Sequence, residues 1–133
     1  MNKKRITALF ICILSIAILS TNAYAQEVMP CADSVFGMAT AYLANKKTVV
    51  FDCVAYDVYD RIEITDVWLE KSVGGVWVYV KQLTPPAYVA INMADYGAVC
   101  DYSSDIGTGT FRVGFTVDAD GYSISRYSNS RTF

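Results

Sequence analysis

The stretch "RIEITDVWLEKSVGGVWVYVKQL" (Arg61–Leu83) decides how this chain is read. Two runs rich in Val, Ile, Trp and Tyr flank Ser72-Val73-Gly74-Gly75, and the glycines supply the positive φ that a tight hairpin connection demands. The first run changes parity partway. Ile62 and Ile64 share one face, whereas Val67 and Leu69 share the other. One extra residue near Thr65-Asp66, a β-bulge, re-aims every side chain after it and reconciles the two pairs. In the second run Val78 and Val80 are expected to face the core, which puts Trp77 and Tyr79 on the opposite face.

The same period-two pattern extends outward in both directions, and no period near 3.6 competes with it. Upstream, "TVVFDCVAYDVYD" (48–60) sets Val49, Phe51, Cys53 and Ala55 against a wetter face of Val50, Asp52, Val54 and Tyr56. Asn45-Lys46-Lys47 reads as a polar turn, and "SVFGMATAYLA" (34–44) before it reads as a first strand or, alternatively, a short helix. Downstream, "TPPAY" (84–88) interrupts the pattern, because proline cannot donate to a ladder and restrains its predecessor. Residues 88–109 are the least patterned, with one short strand expected near 88–93 and a second near 97–102. The end of the chain is a further hairpin: "TFRVGFTV" (110–117), the turn "DADG" (118–121) and "YSISRYSNSRTF" (122–133). Some seven or eight short antiparallel strands divided by turn signals predict an all-β, two-sheet sandwich.

The first residues have the three parts of a secretory signal: Lys3, Lys4 and Arg5, then the apolar run Ile6 to Leu19, then Ala23-Tyr24-Ala25. The run suits a signal h-region and is short for a membrane span. The expectation is therefore a signal peptide over 1–25 and one secreted, extracellular domain over 26–133. Removing the leader takes three of the 11 cations and none of the 13 acids, which moves the net charge from −2 to about −5. An acidic domain without a basic cluster beyond Lys46-Lys47 is a poor partner for nucleic acid or an anionic membrane. No association with either is expected after signal removal.

Cys31, Cys53 and Cys100 remain in the exported chain, so one disulfide and one leftover thiol are expected in an oxidising compartment. Three pairings are open.

The stretch "DRIEITDVWLEKSVGGVWVYVKQL", the strand "GTGTFRVGFTV" and the Ser-rich close "SRYSNSRTF" together resemble a group of small secreted proteins of Gram-positive, clostridia-like bacteria. Those proteins carry a signal peptide and one immunoglobulin-like β-sandwich, and as a group they are functionally uncharacterised. The resemblance covers most of the chain from about residue 34 and rests on scaffold residues. It implies an immunoglobulin-like sandwich and favours the pairing Cys31–Cys53, with Cys53–Cys100 next.

The chain has no histidine. That removes Ser-His and Cys-His nucleophile activation, the usual zinc sites and the commonest general base near neutral pH. Zinc held by cysteine alone needs four thiols, and three remain. Asp57, Asp60, Glu63 and Asp66 offer carboxylates, read here as a solvated strand edge rather than a glycosidase pair. "DADG" begins like a calcium loop, but the twelfth position from Asp118 is Asn129, so a hairpin turn explains it better. No metal and no cofactor are expected.

The two tryptophans and ten tyrosines are the most suggestive feature. Trp77 and Tyr79, with Tyr56 and Tyr59 near them, are the candidate ligand-binding residues, since planar rings stack on sugars and anchor protein partners. The competing reading makes Trp77 a core residue and the tyrosines ordinary strand formers. The expected function is a secreted, non-enzymatic module that binds an extracellular protein or glycan. A small secreted antagonist (toxin, bacteriocin-like protein or inhibitor) is the alternative, and a hydrolase comes third.

Overall fold

The computed structural model describes residues 34–133. Seven strands form one continuous, wholly antiparallel sheet: β1 (Phe36–Leu43), β2 (Thr48–Val73), β3 (Val76–Leu83), β4 (Val89–Asp101), β5 (Thr110–Ala119), β6 (Tyr122–Tyr127) and β7 (Arg131–Thr132). The all-β expectation is met. No helix of the described residues is long and apolar enough to cross a membrane. The expected signal peptide and Cys31 lie outside the described residues.

The 26-residue strand β2 is the spine. Along one edge β1 covers its first part, from Phe36 opposite Ala55 to Leu43 opposite Val49, and β5 covers its last, from Ile62 opposite Ala119 to Lys71 opposite Phe111. Along the other edge β4 and β3 lie end to end, separated by the proline break, so β2 and β3–β4 make one long hairpin. A straight strand of that length would span about 85 Å. Yet the ring of Phe51 meets that of Phe115, the partner of Val67, with centroids 5.5 Å apart. Val67 is about 50 Å beyond Phe51 on a straight strand. The sheet is therefore curled into a half-barrel, and its two halves face each other across the core.

The curl falls where the ladders break. Against β4, the register of β2 shifts between Val54 and Tyr59. On the other edge neither β1 nor β5 reaches residues 57–61, and Asp120 takes over part of this gap. Its carboxylate accepts the backbone N–H groups of Asp60 (3.0 Å) and Arg61 (2.9 Å), while its own N–H donates to the Arg61 carbonyl at 3.1 Å. Asp120 can hold this place because the β5–β6 turn puts it at φ 50°, with Gly121 at 91°. The β2–β3 turn has the same character, with Gly74 at 59° and Gly75 at 82°.

The alternation of β2 fills the inside of the curl. Val49, Phe51, Cys53 and Ala55 before the bend, and Ile62, Ile64, Val67 and Leu69 after it, are all at most 5% exposed. The change of parity is absorbed by a register shift between Ile64 and Asp66, where the sequence requires a bulge. Phe111, Val113, Phe115, Val117 and Ala119 of β5 close the core. Tyr102 donates to the Thr84 carbonyl at 3.0 Å, which ties the far end of the rolled ribbon to its proline break. Arg131 donates to the carbonyls of Leu43 and Ala44.

Three expectations need correction. Residues 89–101 form a single strand, and the expected gap at 94–96 falls where its register against β2 shifts, between Met93 and Asp95. Val78 and Val80 do not face the core; they are 47% and 44% exposed. Val78 sits on the part of the inner face that runs past the opposing half of the sheet. Val80 is the extra residue where β3 shifts register against Leu69 and Glu70. Finally, Cys53 and Cys100 are not bonded to each other, and they pair across the ladder with Tyr96 and Val49 respectively. Four positions along a strand separate them by about 13 Å, too far for a disulfide, which needs roughly 4.4–6.8 Å between Cα atoms.

Candidate functional site

The bulge that sends Val67 and Leu69 inward turns Trp68 and Glu70 outward. On β5 the alternation likewise turns Arg112, Gly114 and Thr116 out while Phe111, Val113 and Phe115 are buried. Cross-strand register then gathers the outer face: Trp68 opposite Gly114, Gly114 opposite Tyr127, Glu70 opposite both Arg112 and Tyr79, and Ser72 opposite Trp77.

These side chains lock together. The indole of Trp68 lies on Gly114, where a Cβ would fall 2.1 Å from Cε2. Its Nε1–H donates to Oε1 of Glu70 at 3.2 Å. The other Glu70 oxygen accepts from Nε of Arg112 at 2.6 Å and ion-pairs with Nη2 at 2.6 Å, with the two side chains 12% and 22% exposed. The guanidinium in turn lies 4.4 Å from the Trp77 ring centre and 3.9 Å from that of Tyr127. Tyr127 meets Trp68 edge to face at 5.8 Å. Each cation–π contact contributes on the order of 0.5–2 kcal/mol, more as it is desolvated. The result is a patch of mutually bonded aromatic and charged side chains on a sheet face, in which the one acid, Glu70, is committed to Trp68 and Arg112.

The patch contains two of the four ring residues expected from sequence. Tyr79 is 58% exposed and forms its free rim, while Trp77 is half-buried under Arg112. Tyr56 and Tyr59 do not join them, because both lie at the bend of β2 and Trp77 pairs beyond it. Tyr56 is 72% exposed, with its ring against Gly37 of β1, and Tyr59 is half-buried against the core. Sequence reasoning missed Arg112, Glu70 and Tyr127 as neighbours. The usable signal was parity: an outward arginine between buried Phe111 and Val113, and an outward acid one step after Leu69.

Beyond this face, the tip of the β2–β3 hairpin is bare. Val73, Val76, Val78 and Val80 are 57%, 63%, 47% and 44% exposed.

The remaining chemistry is sparse. Glu63 pairs with Arg61 at 2.7 Å, which holds its carboxyl below the usual range. Asp66 accepts from Gln82, and Asp57 accepts its neighbour's N–H at Val58. No three His, Cys, Asp or Glu side chains among the described residues gather to hold a metal ion. A cleft of about 410 Å³ opens between Thr84–Ala87 and Cys100–Ser103. Burial pushes the Cys100 thiol up, and that of the fully buried Cys53 up to about 12, so neither is an activated nucleophile. No protein family, curated protein or solved structure matches the chain.

Proposed function

We propose that this chain is a secreted, non-enzymatic interaction module, exported by removal of residues 1–25, that binds an extracellular protein through the tip of its β2–β3 hairpin. The supporting observation is that Val76, Val78, Tyr79 and Val80 are bare on both faces of one hairpin, while Arg112 packs on Trp77 and pairs with Glu70 at its base. Apolar and aromatic groups on a preorganised element are what protein partners cover, with little ordering entropy to lose. A glycan is the weaker occupant, because Arg112 already covers the ring faces of Trp77 and Tyr127 that sugars would stack on. The immunoglobulin-like reading of the curled sheet, and a Cys31–Cys53 disulfide, belong to the same proposal. That disulfide requires Cys31 to reach the inner face, where Cys53 is 0% exposed.

The test is a surface-protein panel and a glycan array, each probed with residues 26–133 and with the double variant Val78→Ser/Tyr79→Ser. Saturable binding to a protein that the double variant loses supports the proposal. Silence on both platforms, or binding that survives the double variant, overturns it. The bare tip equally favours a second reading, a small secreted antagonist. In that case the protein inhibits growth or a target activity, and the same variant abolishes the inhibition.

A further inference from the structure

The outer face of the other half of the sheet, formed by β1, the first part of β2 and β4, has its own composition. Residues directly opposite in a ladder project to the same side, so the register assigns them in rows. Tyr42, Val50 and Val99 form one row, Thr40, Asp52 and Gly97 the next, and Met38, Val54 and Asp95 the third. Thr48 and Asp101 close the edge, joined by a 2.6 Å hydrogen bond from the threonine hydroxyl. Val99 is 66%, Tyr42 53% and Met38 37% exposed. Above Gly97 a Cβ would meet nothing within 4 Å, which leaves a shallow dip in the middle of the face.

The charge on this face has one sign. Asp52, Asp95 and Asp101 are exposed, and no base lies in any of the rows. Both ion pairs among the described residues, Arg61–Glu63 and Arg112–Glu70, lie elsewhere. Lys46 and Lys47, in the turn that leads into β2, are ion-paired with none of these acids.

We infer that this face is a second docking surface, and that its occupant is a basic protein surface in which Lys or Arg side chains alternate with apolar ones. Charge complementarity selects the occupant. A second copy of this chain would oppose the same three aspartates with like charge, and an anionic bilayer or nucleic acid would be repelled as well. The apolar rows supply the area that leaves water, and the acids set orientation and association rate. This surface is separate from the hairpin tip, so it stands or falls independently of the function proposed above.

The test uses a synthetic 18-residue amphipathic Leu/Lys peptide as the probe and the ¹⁵N-labelled protein as the target. Binding is expected to shift amides in 38–42, 50–54 and 95–101 and to weaken as salt rises. Asp52→Asn/Asp95→Asn is expected to weaken binding ~10-fold, the effect of losing two exposed charge contacts. Asp60→Asn/Asp105→Asn, which changes net charge equally, is expected to change it less than ~2-fold. Tyr42→Ser/Val99→Ser alters only exposed side chains, so it should keep the fold and still weaken binding. Absence of binding, equal loss from both charge variants, equal binding of a Leu/Glu peptide, or shifts centred on Tyr79 would each overturn the inference.

Discussion

Gly114→Ala is a sharp perturbation because its sign alone is informative. Glycine inside a strand normally costs about 0.5–1 kcal/mol relative to alanine, so the default expectation is stabilisation. Here the added methyl would lie 2.1, 2.3 and 2.4 Å from Cε2, Cζ2 and Nε1 of Trp68. Ordinary contact is about 3.5–4.0 Å, so the indole must retreat by more than ~1 Å. Retreat breaks the Nε1–H bond to Glu70 and the edge contact with Tyr127. Overpacking costs about 1–3 kcal/mol and the lost hydrogen bond about 1 more. A loss of ~2–3 kcal/mol lowers the melting midpoint of a domain this size by roughly 10–20 °C. Thermal and guanidinium unfolding, followed by far-UV circular dichroism, measures it. The double-mutant cycle supplies the control: on a Trp68→Ala background, Gly114→Ala should be neutral or mildly stabilising. If Gly114→Ala is as stable as wild type while Trp68 is present, the stacking argument is refuted.

Other perturbations test other contacts. Asp120→Ala removes the acceptor for two backbone N–H groups at the bend of β2 and should cost about 2–3 kcal/mol in urea unfolding; Asp120→Asn, which tolerates the same positive φ and keeps one acceptor, should cost less. Glu70→Gln leaves the Arg112 guanidinium without its counter-charge in a half-dry site, a loss of roughly 1–2 kcal/mol on the same assay. With Cys31→Ser removing any partner, native protein at pH 8 should leave Cys53 unmodified by a thiol reagent for as long as it stays folded, with reaction appearing on unfolding. In that variant burial pushes the Cys53 thiol from about 9 up to about 12, so its contribution is complete below pH 9 and is lost as pH rises toward 12. Burial raises Tyr96 and Tyr102 in the same direction, so alkaline unfolding curves should show stability falling across that window, by up to about 1.4 kcal/mol per pH unit per group.

What was legible in the sequence was local. Gly74-Gly75 and Asp120-Gly121 announce their turns because positive φ is costly for other residues, and both turns form. The bulge at Thr65-Asp66 follows from parity alone, since Ile62, Ile64, Val67 and Leu69 must all reach one core. The continuity of β2 was not legible. Tyr56 to Arg61 carries no clean alternation, since the bend there satisfies its backbone with the Asp120 carboxylate, from a residue 60 positions away, rather than with another strand. The exposure of Val78 and Val80 escaped for a related reason: a strand pattern records which face a side chain takes, not whether anything lies over that face. The aromatic patch was half legible, because Trp77 and Tyr79 follow from alternation but their meeting with Arg112 and Tyr127 depends on register across four strands.

Everything rests on a single sheet rolled so that the two ends of one long strand share a core. Aromatic NOE spectroscopy reports this directly through the rings of Phe51 and Phe115. The curled sheet predicts strong cross-peaks between them, together with slowly exchanging amides at Asp60 and Arg61. Rings that show no mutual NOE, each contacting only its own half of the sheet, would contradict it.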